Sequence, residues 1–329
     1  MSLRIGLLGA AYIAPRGIVK PVQVFDDVEI VSMAARDRSR AEVFAARADI
    51  PTVHDTYDQV VTDPNVDAVY NPLAISGHHE WTIKALNAGK HVLCEKPFAM
   101  NEAEAREMAD CARENGLVCA EAFHYYYHPL TRRMREIVQS GILGRIRFAD
   151  AHFQNIVEDT PGEIRYQIEL GGGAAMDLGC YPLHFLRHSF GAEPEVISAK
   201  TAIVHEHIDI ELEAELLFPG DVPARIWSRM NPAGGFSSAA NFYGDQGWLK
   251  VVNPMVPQRE PHLIELVTSW GTRRETLTTR PTFDYQLQAF IDAIEGVRPM
   301  PTDAEDGVVS MRVIDNVYRA AGMMPRGEI

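Results

Sequence analysis

Apolar and polar positions follow two different rhythms along this chain. Up to Phe123, short apolar runs recur, at Leu3–Leu8, Val28–Ala35, Val66–Asn71, His91–Cys94 and Leu117–Phe123, and each reads as a strand. Stretches with helical spacing separate them. Ala41, Phe44, Ala45 and Ala48 form one face of a helix over residues 38–48. Trp81, Ile83, Ala85 and Leu86 mark another, stopped by Gly89; a third runs over 102–115, capped by Asn101 and closed by Gly116. Val53 begins a short strand before Tyr57–Val61. Strand and helix in alternation predict an α/β unit with a parallel, doubly wound sheet.

After Phe123 the rhythm changes. Leu130, Met134, Ile137 and Val138 share a face of a helix over 129–141. Period-two runs then follow at 146–153, 196–204, 208–218, 224–230, 239–243, 248–252 and 263–267. They predict a large, mostly antiparallel sheet with one open face. One helix interrupts them, over about residues 175–190, and the chain ends helical, at 283–295 and 303–322. The expected organisation is a Rossmann-type domain over residues 1–122. An α+β domain follows over 123–329, its last helix returning to pack on the first domain.

Composition is ordinary for a globular protein, with 46% hydrophobic and 23% charged residues. The net charge of -14 argues against nucleic acid as a partner, because phosphate backbones need concentrated Lys and Arg. It leaves room for a small anionic ligand. Cys94, Cys111, Cys119 and Cys180 form no CxxC pair and have apolar neighbours, which reads as a reduced, cytoplasmic protein. The first residues lack the charged and apolar regions of a signal peptide. No apolar stretch approaches the roughly 18 residues of a membrane span, so no membrane partner is expected.

Three segments carry candidate chemistry. The first strand runs into Gly9-x-Ala11-x-x-Ala14, close to the GxGxxA dinucleotide fingerprint but with alanine at the middle glycine. The turn is either a pyrophosphate cradle, with Gly9, Ala11, Tyr12, Ile13 and Ala14 presenting amides at a helix start, or a plain tight junction. The second strand ends at Arg36-Asp37. There Arg36, with Arg40, would take a 2′-phosphate, while Asp37 would take ribose hydroxyls. The first alternative favours NADP; the second keeps NAD open. The third segment is Glu95-Lys96-Pro97, which places a lysine just beyond a strand's carboxyl end, where open parallel sheets bind ligands. Proline keeps Lys96 extended.

Together with Ala88–Pro97, Glu121-Ala122-Phe123, the glycine triplet of Gly171–Tyr181, and Tyr285–Phe290 with Pro301-Thr302-Asp303, these motifs carry a resemblance over nearly the whole chain. The sequence resembles the Gfo/Idh/MocA oxidoreductases, in the branch with glucose-fructose oxidoreductase, dihydrodiol dehydrogenase and xylose dehydrogenase. That resemblance implies NAD(P)-dependent transfer of hydride between nicotinamide and an alcohol or carbonyl of a sugar, polyol or cyclic diol. Lys96 looks like the family's oxygen-polarising lysine, and Asp177 like the aspartate after the triplet. Tyr181 stands where other branches carry histidine. The resemblance adds Asn71, Leu73, His78, Glu95 and Lys96 to the cofactor set and Phe123 to the substrate set; His124, with the aromatic run Tyr125-Tyr126-Tyr127 after it, either lines the sugar pocket or packs at the domain junction. One departure is Ala74-Ile75 where the branch often has Pro-Asn, before His78.

Hydride transfer to a ketone builds charge on oxygen, which Lys96 would stabilise and protonate. Tyr181 would relay a proton once a neighbouring ammonium lowers its pKa from about 10. Asp177, four residues earlier, shares its helical face and would bind a substrate hydroxyl and orient Lys96. Tyr181 can equally be a core tyrosine, and Asp177 a helix-start carboxylate. His184 and His188 are also at helical spacing but have no third ligand in the sequence pattern, so no metal is expected. The open sheet face is expected to form a homodimer or homotetramer interface. Two other functions stay open: a non-catalytic nucleotide and sugar sensor, and a hydrolase or lyase that retains its nicotinamide.

Overall fold

The structure, a computed structural model, describes residues 2–205, 207–231, 233–259 and 261–328. The chain divides into two units: Met1–His124 with Phe283–Met311, and Tyr125–Thr282 with Arg312–Ile329.

In the first unit the chain alternates strand and helix. β1 (Leu3–Leu8) leads through a wide π turn, Pro15–Val19, into the short α1 (Lys20–Val22). Then come β2 (Val28–Ala34), α2 (Arg38–Ala48), β3 (Thr52–Val53), α3 (Tyr57–Val61), β4 (Ala68–Asn71), α4 (His78–Asn87), β5 (His91–Cys94), α5 (Glu102–Asn115) and β6 (Cys119–Glu121). Every strand pair is parallel, in the order β3-β2-β1-β4-β5-β6. The order reverses between β1 and β4, so the crevice for a ligand lies outside the carboxyl ends of these strands. Ile5, Leu7, Val69, Val92 and Leu93 make the strand core. Asn101 caps α5 by accepting from the Glu104 amide at 3.0 Å, and Gly116 closes it at φ 65°.

The second unit holds α6 (Pro129–Gln139), β7 (Ile146–Asn155), a second π turn (Ala175–Gly179) and α7 (Cys180–Phe190). Seven strands follow: β8 (Glu195–Val204), β9 (Ile208–Phe218), β10 (Val222–Met230), β11 (Ser237–Gly244), β12 (Gly247–Val252), β13 (Leu263–Thr268) and β14 (Gly271–Glu275). Their order is β14-β13-β12-β11-β7-β10-β9-β8, antiparallel except for β7 with β10. β14 has no apolar alternation to announce it; Arg273, Arg274 and Glu275 make it a charged edge of the kind that resists further strand pairing. His205 and His207 fall in the turn between β8 and β9. α8 (Thr282–Ile294) and α9 (Ala304–Ala320) complete the chain. No helix among the described residues is long and apolar enough to cross a membrane.

Candidate active site

The nucleotide turn begins where β1 ends. Gly9 has φ 81°, and its amide donates to the Ala34 carbonyl at 2.7 Å. A side chain there would press on Leu73 Cδ2 at 3.0 Å, so glycine suits both the left-handed backbone and the close approach of the next loop. Ala11 accepts from the Ala14 amide at 3.1 Å, and Ala14 is fully buried while Ala11 is only partly so. Tyr12 is 84% exposed, with the Arg16 guanidinium 5.1 Å from its ring centre. These features fit a dinucleotide cradle. The amides follow a glycine bend and enter a helix start, whose partial positive charge favours phosphate.

Beyond β2, Asp37 is committed to its own helix. It accepts from the Ser39 amide at 2.9 Å, the Ser39 hydroxyl at 2.7 Å and the Arg40 amide at 3.3 Å. Those bonds, led by the Ser39 hydroxyl, hold its carboxyl below the usual range. Arg38 is paired with Glu42 and Asp55. Arg36 and Arg40 are exposed, and among the described residues neither guanidinium enters an ion pair. The two cations named from the sequence are therefore the ones available.

At the ends of β4 and β5 a set of bonds ties two loops together. The buried Asn71 side chain donates to the His78 carbonyl and the Thr82 hydroxyl, both at 3.3 Å, and accepts from the Leu73 amide at 3.4 Å. His78, 1% exposed, sits with Nδ1 3.0 Å from the Pro97 carbonyl and Nε2 3.0 Å from the Leu73 carbonyl. Burial pushes it down to about 4 against the pull of those carbonyls, so it is a neutral clamp between the β4 loop and the Lys96-Pro97 turn. Where the branch's usual Pro-Asn is absent, Ala74 accepts from the Gly77 amide at 2.7 Å, and a single tight turn still delivers His78.

Lys96 is half-buried and joined to Pro97 by a cis peptide. Its amide approaches the Glu95 carboxylate at 3.3 Å, and that carboxylate also accepts from the Tyr70 hydroxyl at 2.7 Å. Burial raises Glu95, while Tyr70 and the Lys96 charge oppose the rise. Tyr70 was not among the residues named from the sequence; it passed as a strand apolar. Gly17 was missed too, although a side chain there would run into the Tyr70 hydroxyl. Phe123 is fully buried, and His124 stacks on Phe283 with ring centres 4.0 Å apart. Thr302 donates its hydroxyl to the Glu121 carbonyl at 2.8 Å and gives its own carbonyl to the Glu121 amide at 2.8 Å, which docks the tail motif beside β6.

In the second unit, the expected single helix over 175–190 becomes the π turn followed by α7. Asp177 lies in the turn and Tyr181 in the α-helix, so the four-residue spacing spans a junction of two helix widths. π turns of this kind recur at functional sites. Asp177 accepts from Arg165 Nε at 2.8 Å, and Arg165 also reaches Glu163 at 2.8 Å. The Asp177 charge leads in raising the guanidinium's proton affinity further. No sequence pattern marked Arg165. Tyr181 is 5% exposed, its ring 5.3 Å from Phe153 and 5.9 Å from Tyr125. His184 shares a short hydrogen bond with the Tyr125 hydroxyl.

Two family descriptions match this chain: residues 3–123 an oxidoreductase family with an NAD-binding Rossmann fold, and residues 131–250 the GFO/IDH/MocA C-terminal domain. Matches to curated relatives extend over nearly all of it. The chain belongs to the Gfo/Idh/MocA oxidoreductase family. Among its relatives is a D-xylose 1-dehydrogenase (NADP(+)) of Haloferax volcanii, 32% identical over 96% of each chain. A trans-1,2-dihydrobenzene-1,2-diol dehydrogenase of Macaca fascicularis is 34% identical over 69% of this chain and 67% of its own. A solved 3-ketoreductase from Actinomadura kijaniata, in complex with NADP and TDP-benzene, is 28% identical. It superposes with a TM-score of 0.89, covering 97% of this chain and 98% of that one. In Gfo/Idh/MocA terms, the Gly9–Ala14 turn and Lys96 lie in the part matched as Rossmann fold, and Asp177 and Tyr181 in the part matched as C-terminal domain.

Proposed function

We propose that this protein is an NADP-preferring dehydrogenase or reductase that interconverts an alcohol and a carbonyl on a sugar, polyol or cyclic diol. The observation that carries the reading is the Lys96 turn. A half-buried lysine follows β5 at the ligand end of the parallel sheet, braced by Glu95, Tyr70 and His78. The relatives named above act on substrates of this kind or are bound to NADP. The exposed Arg36 and Arg40, beside an aspartate spent on capping, support the 2′-phosphate form.

Bound nicotinamide supplies the acceptor or donor of the hydride. Lys96 holds the reacting oxygen and stabilises its negative charge, which is worth most where water is excluded. Tyr181 exchanges the proton at its phenolic oxygen, so that the hydride leaving carbon is balanced by a proton leaving oxygen. Asp177, fixed by Arg165, accepts a hydrogen bond from a second substrate hydroxyl. A carboxylate is an acceptor only, so the partner it takes there is a hydroxyl and not a second acceptor. The open face of the second unit's sheet is the surface we assign to a homodimer.

The test is titration of purified protein with NADP and NAD, then a screen of pentoses, hexoses, inositols and dihydrodiols at the absorbance band of reduced nicotinamide. Turnover with NADP on one substrate class, lost in Lys96→Ala and Tyr181→Phe, is expected. Tight cofactor binding with no turnover on any class refutes the proposal.

A further inference from the structure

The second unit contains a fully buried ion pair that the proposed chemistry does not use. Arg326 and Asp209 are both 0% exposed, and Arg326 Nη2 lies 2.6 Å from Asp209 Oδ1. Each partner also grips the segment that leads to the helix of Asp177 and Tyr181. Arg326 Nε donates to the Gly172 carbonyl at 2.7 Å. Asp209 Oδ2 accepts from the Ala175 amide, the first residue of the π turn, at 2.6 Å. Tyr318 steadies both: its hydroxyl donates to Asp209 Oδ1 at 3.1 Å and its ring lies 4.3 Å from the guanidinium.

The glycine triplet is shaped to admit this pair. Gly173 has φ 128°, and a side chain there would strike the Asp209 carboxylate and come within 2.6 Å of Arg326 Nη2. A side chain on Gly172 would meet the Arg165 carbonyl at 2.6 Å. Arg165 closes the loop, its carbonyl accepting from the Gly173 amide at 3.0 Å while its side chain holds Asp177. Burying two charges costs several kcal/mol of desolvation per ion, and well-packed apolar residues often do as well for stability. What apolar residues could not do is fix one carbonyl within the triplet and one amide just after it.

We infer that Arg326 and Asp209 are positioning residues for catalysis: the ion pair sets the register of the glycine triplet, and through it the placement of Asp177 and Tyr181. The inference rests on the functional reading above. Burial lifts Asp209 to about 6 even with Arg326, the Ala175 amide and Tyr318 opposing it, in keeping with a carboxylate held where its charge is costly.

Arg326→Lys keeps the charge but cannot reach both acceptors in a fork, and Asp209→Asn keeps an acceptor for Ala175; either serves if the other folds poorly. Steady-state kinetics and hydrogen exchange across residues 172–181 are measured on the full-length protein. We expect kcat to fall about tenfold to a hundredfold, as misplacement by about 1 Å does, with the NADP dissociation constant unchanged and exchange faster in 172–181. Wild-type kcat in a variant whose exchange has quickened makes the pair merely structural and overturns the inference alone, as does unchanged exchange. No turnover by the wild type on any substrate class overturns the functional reading, and this inference with it.

Discussion

Glu95 is a buried carboxylate beside the candidate catalytic lysine, and a single phenol, Tyr70, donates to it from the neighbouring strand. Tyr70→Phe removes that donor without changing the packing volume much. The Lys96 amide stays on the other carboxylate oxygen, but Oε1 loses its phenol, and a buried acceptor atom left unpaired costs about 1–3 kcal/mol, so urea unfolding should register a loss of that order at pH 8. The sign with pH follows from Glu95 itself. Burial already raises its native pKa, and losing Tyr70 raises it further, so the penalty falls on the charged form. As pH falls through the raised native value, the carboxyl takes up a proton and the deficit of the variant shrinks. A deficit that stays constant from pH 8 to 5 would mean that Tyr70 acts by packing alone. Residues of this kind mark the limit of reading a site from sequence. Lys96 and Arg36 could be named because their chemistry stands out at strand ends, whereas Asn71 was named only through the family resemblance. Tyr70 and Arg165 could not, because a tyrosine in an apolar run and an arginine in an irregular loop carry no periodic signal.

At the scale of elements, two of the candidate segments, the Gly9–Ala14 turn and the glycine triplet, lead into a π turn, at Pro15–Val19 and at Ala175–Gly179. The first depends on Gly17. Helix propensity favours alanine over glycine by up to about 1 kcal/mol, but a Cβ at Gly17 would collide with the Tyr70 hydroxyl that serves Glu95. Overpacking of a rigid site costs about 1–3 kcal/mol, so the steric effect wins and Gly17→Ala should lower the unfolding midpoint. A rise in the midpoint would show that the first turn adjusts freely. The parallel sheet and the caps Asn101 and Gly116 were legible because period, length and cap chemistry agree there, although the strand read over Leu117–Phe123 is shorter, Cys119–Glu121. The π turns were not, since a single turn of five residues is too short to show a period of its own. β14 was not either: as an edge strand it buries little and carries charge instead of alternation.

For the whole molecule, the outer face of the second unit's sheet decides whether the protein works as one chain or two. Its residues are not simply apolar. Glu211, Glu213 and Glu215 of β9 stand opposite Arg229, Trp227 and Arg225 of β10. Arg229–Glu211 and Arg225–Glu213 form ion pairs at 3.4 and 3.7 Å, both half-exposed, and such pairs contribute little as they stand. Between them His152 stacks on Trp227 with ring centres 4.5 Å apart, and Phe148 lies 6.0 Å from Tyr243 on the neighbouring strands. Aromatic and arginine side chains are enriched at protein–protein interfaces relative to the rest of the surface, and in a two-fold dimer the same row would face its own copy. The net charge of -14 opposes association of two copies, and salt screens that repulsion over roughly 10 Å at 0.1 M. We therefore expect sedimentation velocity to give a dimer of the 36.7 kDa chain that tightens as salt rises from low to physiological. Trp227→Glu should shift it to monomer by setting a charge against its own symmetry mate while leaving NADP binding in the first unit intact. A wild-type monomer at every concentration and salt would reassign the aromatic row to some other partner.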